Sequence, residues 1–268
     1  MRNLRLDVAY DGTSFFGWQK QPQRPTVQGC VEEAVERITG EKTSVAGAGR
    51  TDAGVHAAGQ VASFRTCSPI PCGNLGRALN NILPQEIRVL SVQEAPLEFH
   101  ARYAAVAKVY RYRILQANVC PPFLARFVYH CPLRLDAKRM ALAAKWIEGE
   151  RDFTSFAASD PSLAKSPKGR KRSAASSSCV RRIFLSRILS RPRTSILTYE
   201  VRGNGFLYHM VRNIAGTLME VGRGAIRPEE IPLILAALDR SKAGPTAPAQ
   251  GLCLVRVEYS AKPRTKIC

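Results

Sequence analysis

Three positions in this 268-residue chain carry side chains whose type and setting could do chemistry: Asp52, Arg212 and Tyr110. Asp52 lies within Gly47-Ala48-Gly49-Arg50-Thr51-Asp52-Ala53-Gly54-Val55-His56-Ala57, where three glycines surround one acid and one base two residues apart. Glycine admits backbone conformations that a side chain forbids, and it lets another molecule approach the main chain closely. The stretch follows a helical pattern and precedes a strand-like one. It therefore reads as an ordered loop at the end of an element, a common seat of function. Asp52 has two readings. An aspartate ahead of Ala-Gly can simply cap a turn. A carboxylate held still in such a loop can also act as a base or a nucleophile, and a guanidinium beside it would keep it ionised and oriented.

Arg212 falls in a helical pattern over Tyr208 to Val221. Val211, Ile214, Ala215, Leu218 and Val221 make the apolar stripe; His209, Arg212, Asn213 and Gly216 recur on the opposite face at i, i+3, i+4 and i+7. Such a face is either ordinary solvated surface or the wall of a cleft. Tyr110 belongs to a strand pattern over Val109 to Leu115, with Tyr110, Tyr112 and Ile114 facing one way and Arg111 and Arg113 the other. Its ring is either core with the hydroxyl at the rim or a stacking platform for an unpaired base. His56 reads as a structural loop histidine. The chain offers no Ser-His-Asp arrangement, and its glycine-rich loop lacks the Lys-Ser/Thr ending of a phosphate-binding P-loop. Cys67 and Cys72, the closest pair among eight cysteines, have no zinc-like partner motif, so no metal site is expected.

The elements that must position these residues follow from hydrophobic periodicity. Leu4, Leu6, Val8 and Tyr10 alternate with Arg5, Asp7 and Ala9 in a strand ended by Asp11-Gly12-Thr13. Val27, Cys30, Val31, Ala34, Val35 and Ile38 fall at helical spacing, with Gly40 as the stop. After the Asp52 loop come a strand over Gln60 to Arg65, a short helix over Leu75 to Leu83 closed by Pro84, and a strand over Ile87 to Val92. A second part begins near Ala105 with the Tyr110 strand. Asp136 caps a helix running through Trp146, and Phe153 to Phe156 forms an apolar anchor. A strand follows on Leu197, Tyr199 and Val201. The Arg212 helix is stopped by Gly222 and Gly224, and Pro228 opens another. Cys253, Val255, Val257 and Tyr259 form a last strand. The pattern predicts an α+β fold of two α/β domains with mostly antiparallel sheet. The N-terminal domain covers 1–105 and carries the Asp52 loop; the C-terminal domain covers 106–268.

Forty Lys and Arg against 21 Asp and Glu give a net charge of +19, with pI near 10.1. Such an excess concentrates polyanions and releases their counterions on contact, so nucleic acid is the expected partner. Between Pro161 and Tyr199 there is no Asp or Glu, but there are ten Lys and Arg. Lys165 to Ser178 is too polar to bury the apolar surface that order requires. It reads as a basic flexible insertion at about 160–182, either a solvated loop or an arm that orders on phosphates. Hydrophobic residues at 45% suffice for a core. No run approaches the ~18 apolar residues of a membrane span, and no apolar signal segment is apparent. Scattered cysteines suit reduced thiols, so the expected location is the cytoplasm.

Taken together, Gly49 to Ala57 resembles the signature of the TruA family of tRNA pseudouridine synthases. So do Tyr10-Asp11-Gly12-Thr13 with Gly17-Trp18-Gln19, Phe99-His100-Ala101-Arg102, Tyr110-Arg111-Tyr112, Asp152 to Phe156, His209-Met210-Val211-Arg212-Asn213, and Gly251-Leu252. They occur in the family's order and span nearly the whole chain. The resemblance implies an isomerase that converts uridine to pseudouridine at positions 38 to 40 of the tRNA anticodon stem-loop. It implies two α/β domains sharing a sheet, with a basic cleft between them, a homodimer, and no cofactor. It also implies that Asp52 is the catalytic carboxylate, that Tyr110 packs on the target base, and that Arg212 pairs with Asp52. Arg50 matches the arginine assigned to base flipping, and Leu252 an apolar residue lining the pocket. Two departures stand out. Lys165–Ser178 is longer than the usual family connection, and Tyr208 stands where a histidine is more common.

Overall fold

The computed structural model describes residues 1–158, 178–190 and 194–260. The chain forms two compact units, Met1–Tyr110 with the segment from Leu252 onward, and Arg111–Gly251. The division falls inside a strand, between Tyr110 and Arg111.

The first unit contains β1 (Arg2–Tyr10), α1 (Val27–Thr39), β2 (Ala46–Gly47), β3 (His56–Thr66), α2 (Cys72–Ile82) and β4 (Ile87–Ala95). It also holds the start of β5 (Ala105–Leu115) and, from far along the chain, β10 (Leu252–Tyr259). β1 lies between β3 and β4, antiparallel to both; β2 is antiparallel to β3, and β10 runs parallel to it. The alternation in β1 does what period two requires: Leu4, Leu6 and Val8 are buried on one face. The hydroxyl of Thr26 accepts the Gly29 N–H at the start of α1, satisfying one of the orphan amides of a helix N-terminus. Gly40 ends α1 with a left-handed φ of 73° and donates its N–H to the Glu36 carbonyl, as a C-terminal glycine should.

The second unit continues from β5 through α3 (Pro122–Ala125), β6 (Tyr129–His130), α4 (Ala137–Lys145), β7 (Gly149–Asp152), β8 (Val180–Ser190), β9 (Ile196–Gly203), α5 (Met210–Arg223) and α6 (Ile231–Ala236). β7, β8 and β9 form an antiparallel ladder, and β6 runs parallel to the end of β5. Asp136 caps α4, its carboxylate accepting the N–H groups of Lys138 and Arg139. Met140, Ala143 and Ala144 are buried as α4 packs on β8 and α5. The fold is mixed α/β with mostly antiparallel sheet and several helices, the class that the sequence predicts.

Four local readings differ from expectation. Strand β8 has no counterpart in the sequence pattern, because Arg and Ser interrupt its apolar residues. Its buried face instead uses Ile183 and a polar residue, Ser186, whose hydroxyl lies 3.1 Å from that of Tyr199. Helix α5 begins at Met210, two residues late, because His209 takes a left-handed φ of 58°. Gly222 lies within that helix, packed against Met140, and Gly224 is the stop. In β10 Leu252 and Leu254 are buried, on the parity opposite to the one the sequence suggested, and of the suggested residues Val257 alone is buried. Apolar residues of both parities line that strand, so alternation could not choose between its faces. The expected basic insertion lies outside the described residues as far as 177, and Val180–Ser190 is strand.

Candidate active site

Two strands frame the Asp52 loop, β2 leading in and β3 leading out from His56. Its backbone is tied to the connection between β1 and α1. Trp18 N–H donates to the Thr51 carbonyl at 3.1 Å, and Gly54 N–H donates to the Phe15 carbonyl at 3.2 Å. Val55 N–H closes a turn on the Asp52 carbonyl at 3.1 Å, and Gly54 within that turn has a left-handed φ of 77°. Gly17 also adopts a left-handed φ, 86°, and a Cβ there would lie 2.4 Å from the Thr51 carbonyl oxygen. Gly47 lies against the Trp18 indole, and Gly49 against the Lys108 side chain. The glycines of the loop therefore let the protein pack on itself, where the sequence alone suggested room for another molecule.

Side chains lock the same loop from both ends. The Tyr10 hydroxyl lies 2.9 Å from that of Thr51, next to Asp52. Gln60 donates from Nε2 to the Tyr10 hydroxyl at 3.4 Å and to the Gly49 carbonyl at 2.8 Å. Gly12 N–H donates to Nδ1 of buried His56 at 3.0 Å, and an Asp11 carboxylate oxygen lies 3.1 Å from the same nitrogen. His56 is thus the structural histidine that the sequence suggested, holding the turn after β1. Asp52 itself is half-buried. Arg50 is exposed and donates from Nε to the Gln19 side-chain oxygen at 3.1 Å.

Tyr110 is 6% exposed. Burial pushes the pKa of its phenol well above the ordinary tyrosine value, and Tyr10, Asp52 and Cys253 add to the shift. Tyr110 and Asp52 are therefore within electrostatic reach of each other, and the phenol keeps its proton through neutral pH. Buried Leu252 opens β10, whose next residue, Cys253, stands in register with His56. Arg50, Asp52, Tyr110 and Leu252 thus all fall in the first unit. Lys108 escapes sequence reasoning, although period two places it on the Tyr110 face of β5. Its ammonium would be 3.3 Å from a Cβ on Gly49.

Arg212 belongs to the second unit, half-buried on α5. Its Nε donates to the Ala247 carbonyl at 2.8 Å, and the Ala247 N–H donates to the Arg212 carbonyl at 3.1 Å. The polar face of α5 is not solvated surface. Asn213 is fully buried, donating to the Phe156 carbonyl at 2.7 Å and accepting from Arg240 and Thr246. A Cβ on Gly216 would run into the Pro245 carbonyl oxygen at 1.7 Å. The polar residues on this face thus bind the segment from Pro245 to Ala247, which in turn holds Arg212. Tyr112 donates to the Pro248 carbonyl at 2.9 Å, and burial raises its pKa, with the charge of Arg212 acting in the opposite direction.

Among the described residues no group of three His, Cys, Asp or Glu is placed to hold a metal ion, and the described cysteines form no disulfide. No helix among them is long and apolar enough to cross a membrane.

The tRNA pseudouridine synthase family matches positions 8–104 and 143–260. A tRNA pseudouridine synthase A from Solibacter usitatus is 49% identical over 260 residues, which cover 97% of this chain and 100% of that protein. Proteins of the same name from Caldicellulosiruptor bescii and Caldicellulosiruptor saccharolyticus are 44% and 45% identical over 259 residues, again covering 97% of this chain and 100% of each relative.

Proposed function

This chain belongs to the tRNA pseudouridine synthase family, and we propose that it isomerises uridine at positions 38 to 40 of the tRNA anticodon stem-loop. It is an isomerase: the reaction breaks the bond from ribose C1′ to uracil N1, turns the base, and joins C1′ to C5. The proton on C5 ends on N1, so atoms and electrons balance without a cofactor.

The observation that carries the reading is the setting of Asp52. Its half-buried carboxylate sits in a loop clamped by Tyr10, Gln60 and the β1–α1 connection, with Tyr110 in electrostatic reach. A target base must first leave its stack, which costs a few kcal/mol. Exposed Arg50 is suited to fill the vacated space or hold a phosphate, and Tyr110 and Leu252 to receive the base. The Asp52 carboxylate can then attack C1′, add to C6, or remove the C2′ proton. Arg212 is assigned to substrate binding and to keeping the site competent. The phenol of Tyr110 holds its proton, which suits it to relay a proton and not to act as a standing phenolate base.

The excess of basic residues supports tRNA as partner, with phosphate contacts dominating affinity. A cytoplasmic homodimer completes the proposal, and sedimentation at micromolar concentration tests the assembly. The reading as a whole is tested with tRNA tritiated at uridine C5. Wild-type protein should release the label and leave pseudouridine at 38 to 40. No release, or release mapping elsewhere, would reject the activity or the site respectively.

A further inference from the structure

The second unit carries a charged cluster with no part in the site described above. Glu200 on β9 is 3% exposed. Two other strands supply its partners. Arg111 on β5 donates from Nε to one carboxylate oxygen at 2.6 Å. Arg187 on β8, the register partner of Glu200, donates to the other oxygen from Nη2 at 2.6 Å and from Nε at 3.1 Å. The two arginine side chains are themselves 43% and 51% exposed. Burial alone would raise the Glu200 pKa, but the hydrogen bonds and charges of Arg111 and Arg187 outweigh it and leave the carboxyl below its ordinary value.

One guanidinium would neutralise and satisfy a buried carboxylate. Here two converge on it, which leaves a net charge of +1 at the sheet face. Among the described residues, Nη1 and Nη2 of Arg111 and Nη1 of Arg187 have no protein acceptor. Arg187 is thus pinned along one edge and Arg111 at its Nε, while their other donors are left over. Arg113, two residues along β5, shares this face. Arg202, two along β9, lies over the Phe184 ring at 4.7 Å. The opposite face is closed by buried Tyr112, Tyr199 and Ser186. Four arginines and one glutamate on one exposed sheet face match a polyanion, and a planar fork held in place matches phosphate oxygens in particular.

We propose that Glu200 is a positioning residue that presents Arg111 and Arg187 as a paired binding site for RNA backbone phosphate. The inference rests on the tRNA reading for the source of that phosphate. Holding both forks before binding removes much of the ordering cost that long, free side chains would carry.

The test is binding of an unmodified tRNA transcript to the full chain across a salt series. Arg111→Gln and Arg187→Gln should each weaken binding several-fold, and removing one arginine–phosphate pair should flatten the slope of log K against log salt by about 0.7–0.9. Arg187→Lys should keep most of the slope but not the affinity, because a point charge replaces a fork. Glu200→Gln decides between positioning and bulk charge. It raises the net charge by one, so bulk attraction alone predicts tighter binding and a steeper slope. Positioning predicts the reverse, and a tighter-binding Glu200→Gln overturns the proposal. If that variant does not fold, as thermal unfolding would reveal, the two arginine variants decide: unchanged slopes in both overturn it. Tritium release by wild type, measured in parallel, separates the phosphate site from the activity. Release with unchanged slopes removes the phosphate site and keeps the function; slopes that depend on the arginines without release do the opposite.

Discussion

The hydroxyls of Tyr10 and Thr51 lie 2.9 Å apart, both on buried side chains. This bond joins the end of β1 to the residue immediately before Asp52, and so converts a sheet position into a carboxylate position. Tyr10→Phe removes it and leaves a buried hydroxyl unpaired, at a cost of about 1–3 kcal/mol. Denaturant unfolding should register that loss, and single-turnover kinetics should register a slower reaction with tRNA affinity unchanged. An unaltered single-turnover rate would mean that the loop backbone alone positions Asp52.

Asp52→Asn is close in shape and lacks the negative charge. It should bind tRNA as wild type does and release no measurable tritium, a fall of at least the ~10²–10⁴ that a positioned acid–base group contributes. Measurable turnover by this variant would remove Asp52 from the chemistry.

Tyr110→Phe should bind tRNA normally and slow tritium release by about 10²-fold, the low end for loss of a proton-transfer group. Because burial raises the phenol pKa above its ordinary 10.0, the phenolate is absent at neutral pH and increases only above that value. The wild-type rate should therefore show no rise from about pH 7 to 9 attributable to tyrosine ionisation. A rising limb that Tyr110→Phe abolishes would contradict this.

Gly216→Ala should press a methyl group into the Pro245 carbonyl, destabilising the fold by about 1–3 kcal/mol through overpacking. It should also shift Ala247, whose carbonyl holds Arg212. Turnover measured well below the melting temperature should fall as well. A loss of stability with full activity would mean that the Ala247 contact is dispensable for Arg212.

Glu200 has a folded pKa below its ordinary 4.5, first because burial's upward push is overcome, and then because Arg111 and Arg187 hydrogen-bond its ionised form. Its contribution to stability is thus present above 4.5 and is lost as pH falls through the depressed folded value. Acid unfolding of Glu200→Gln should show a weaker dependence on pH below about 4.5 than wild type does. Identical acid transitions would show that the carboxylate adds nothing.

Local elements were largely legible in the chain because their causes are local. Alternation in Leu4 to Tyr10 and helical spacing in Val27 to Ile38 each bury one face, and Gly40 and Asp136 act on backbone groups within a turn of themselves. Strand β8 was not legible, because a buried Ser186 looks polar until its partner, Tyr199, is known. The polar face of α5 misled in the opposite sense: Asn213 is buried because Phe156, Arg240 and Thr246, all remote in sequence, satisfy it.

The order of residues alone dictates that an acid stands in a glycine-rich loop between a helix and a strand, in a strongly basic α+β chain. It also carries the motif resemblance that leads to the family. Packing settles what Gly47 and Gly49 accommodate, which is the protein's own Trp18 and Lys108. It brings β10 back to the first unit beside His56, and it lets Glu200 gather Arg111 and Arg187 from 89 and 13 residues away. The physical reason is range. Periodicity and capping act over a turn or two of chain, whereas a buried carboxylate or a clamped loop is defined by neighbours that only the folded chain brings together.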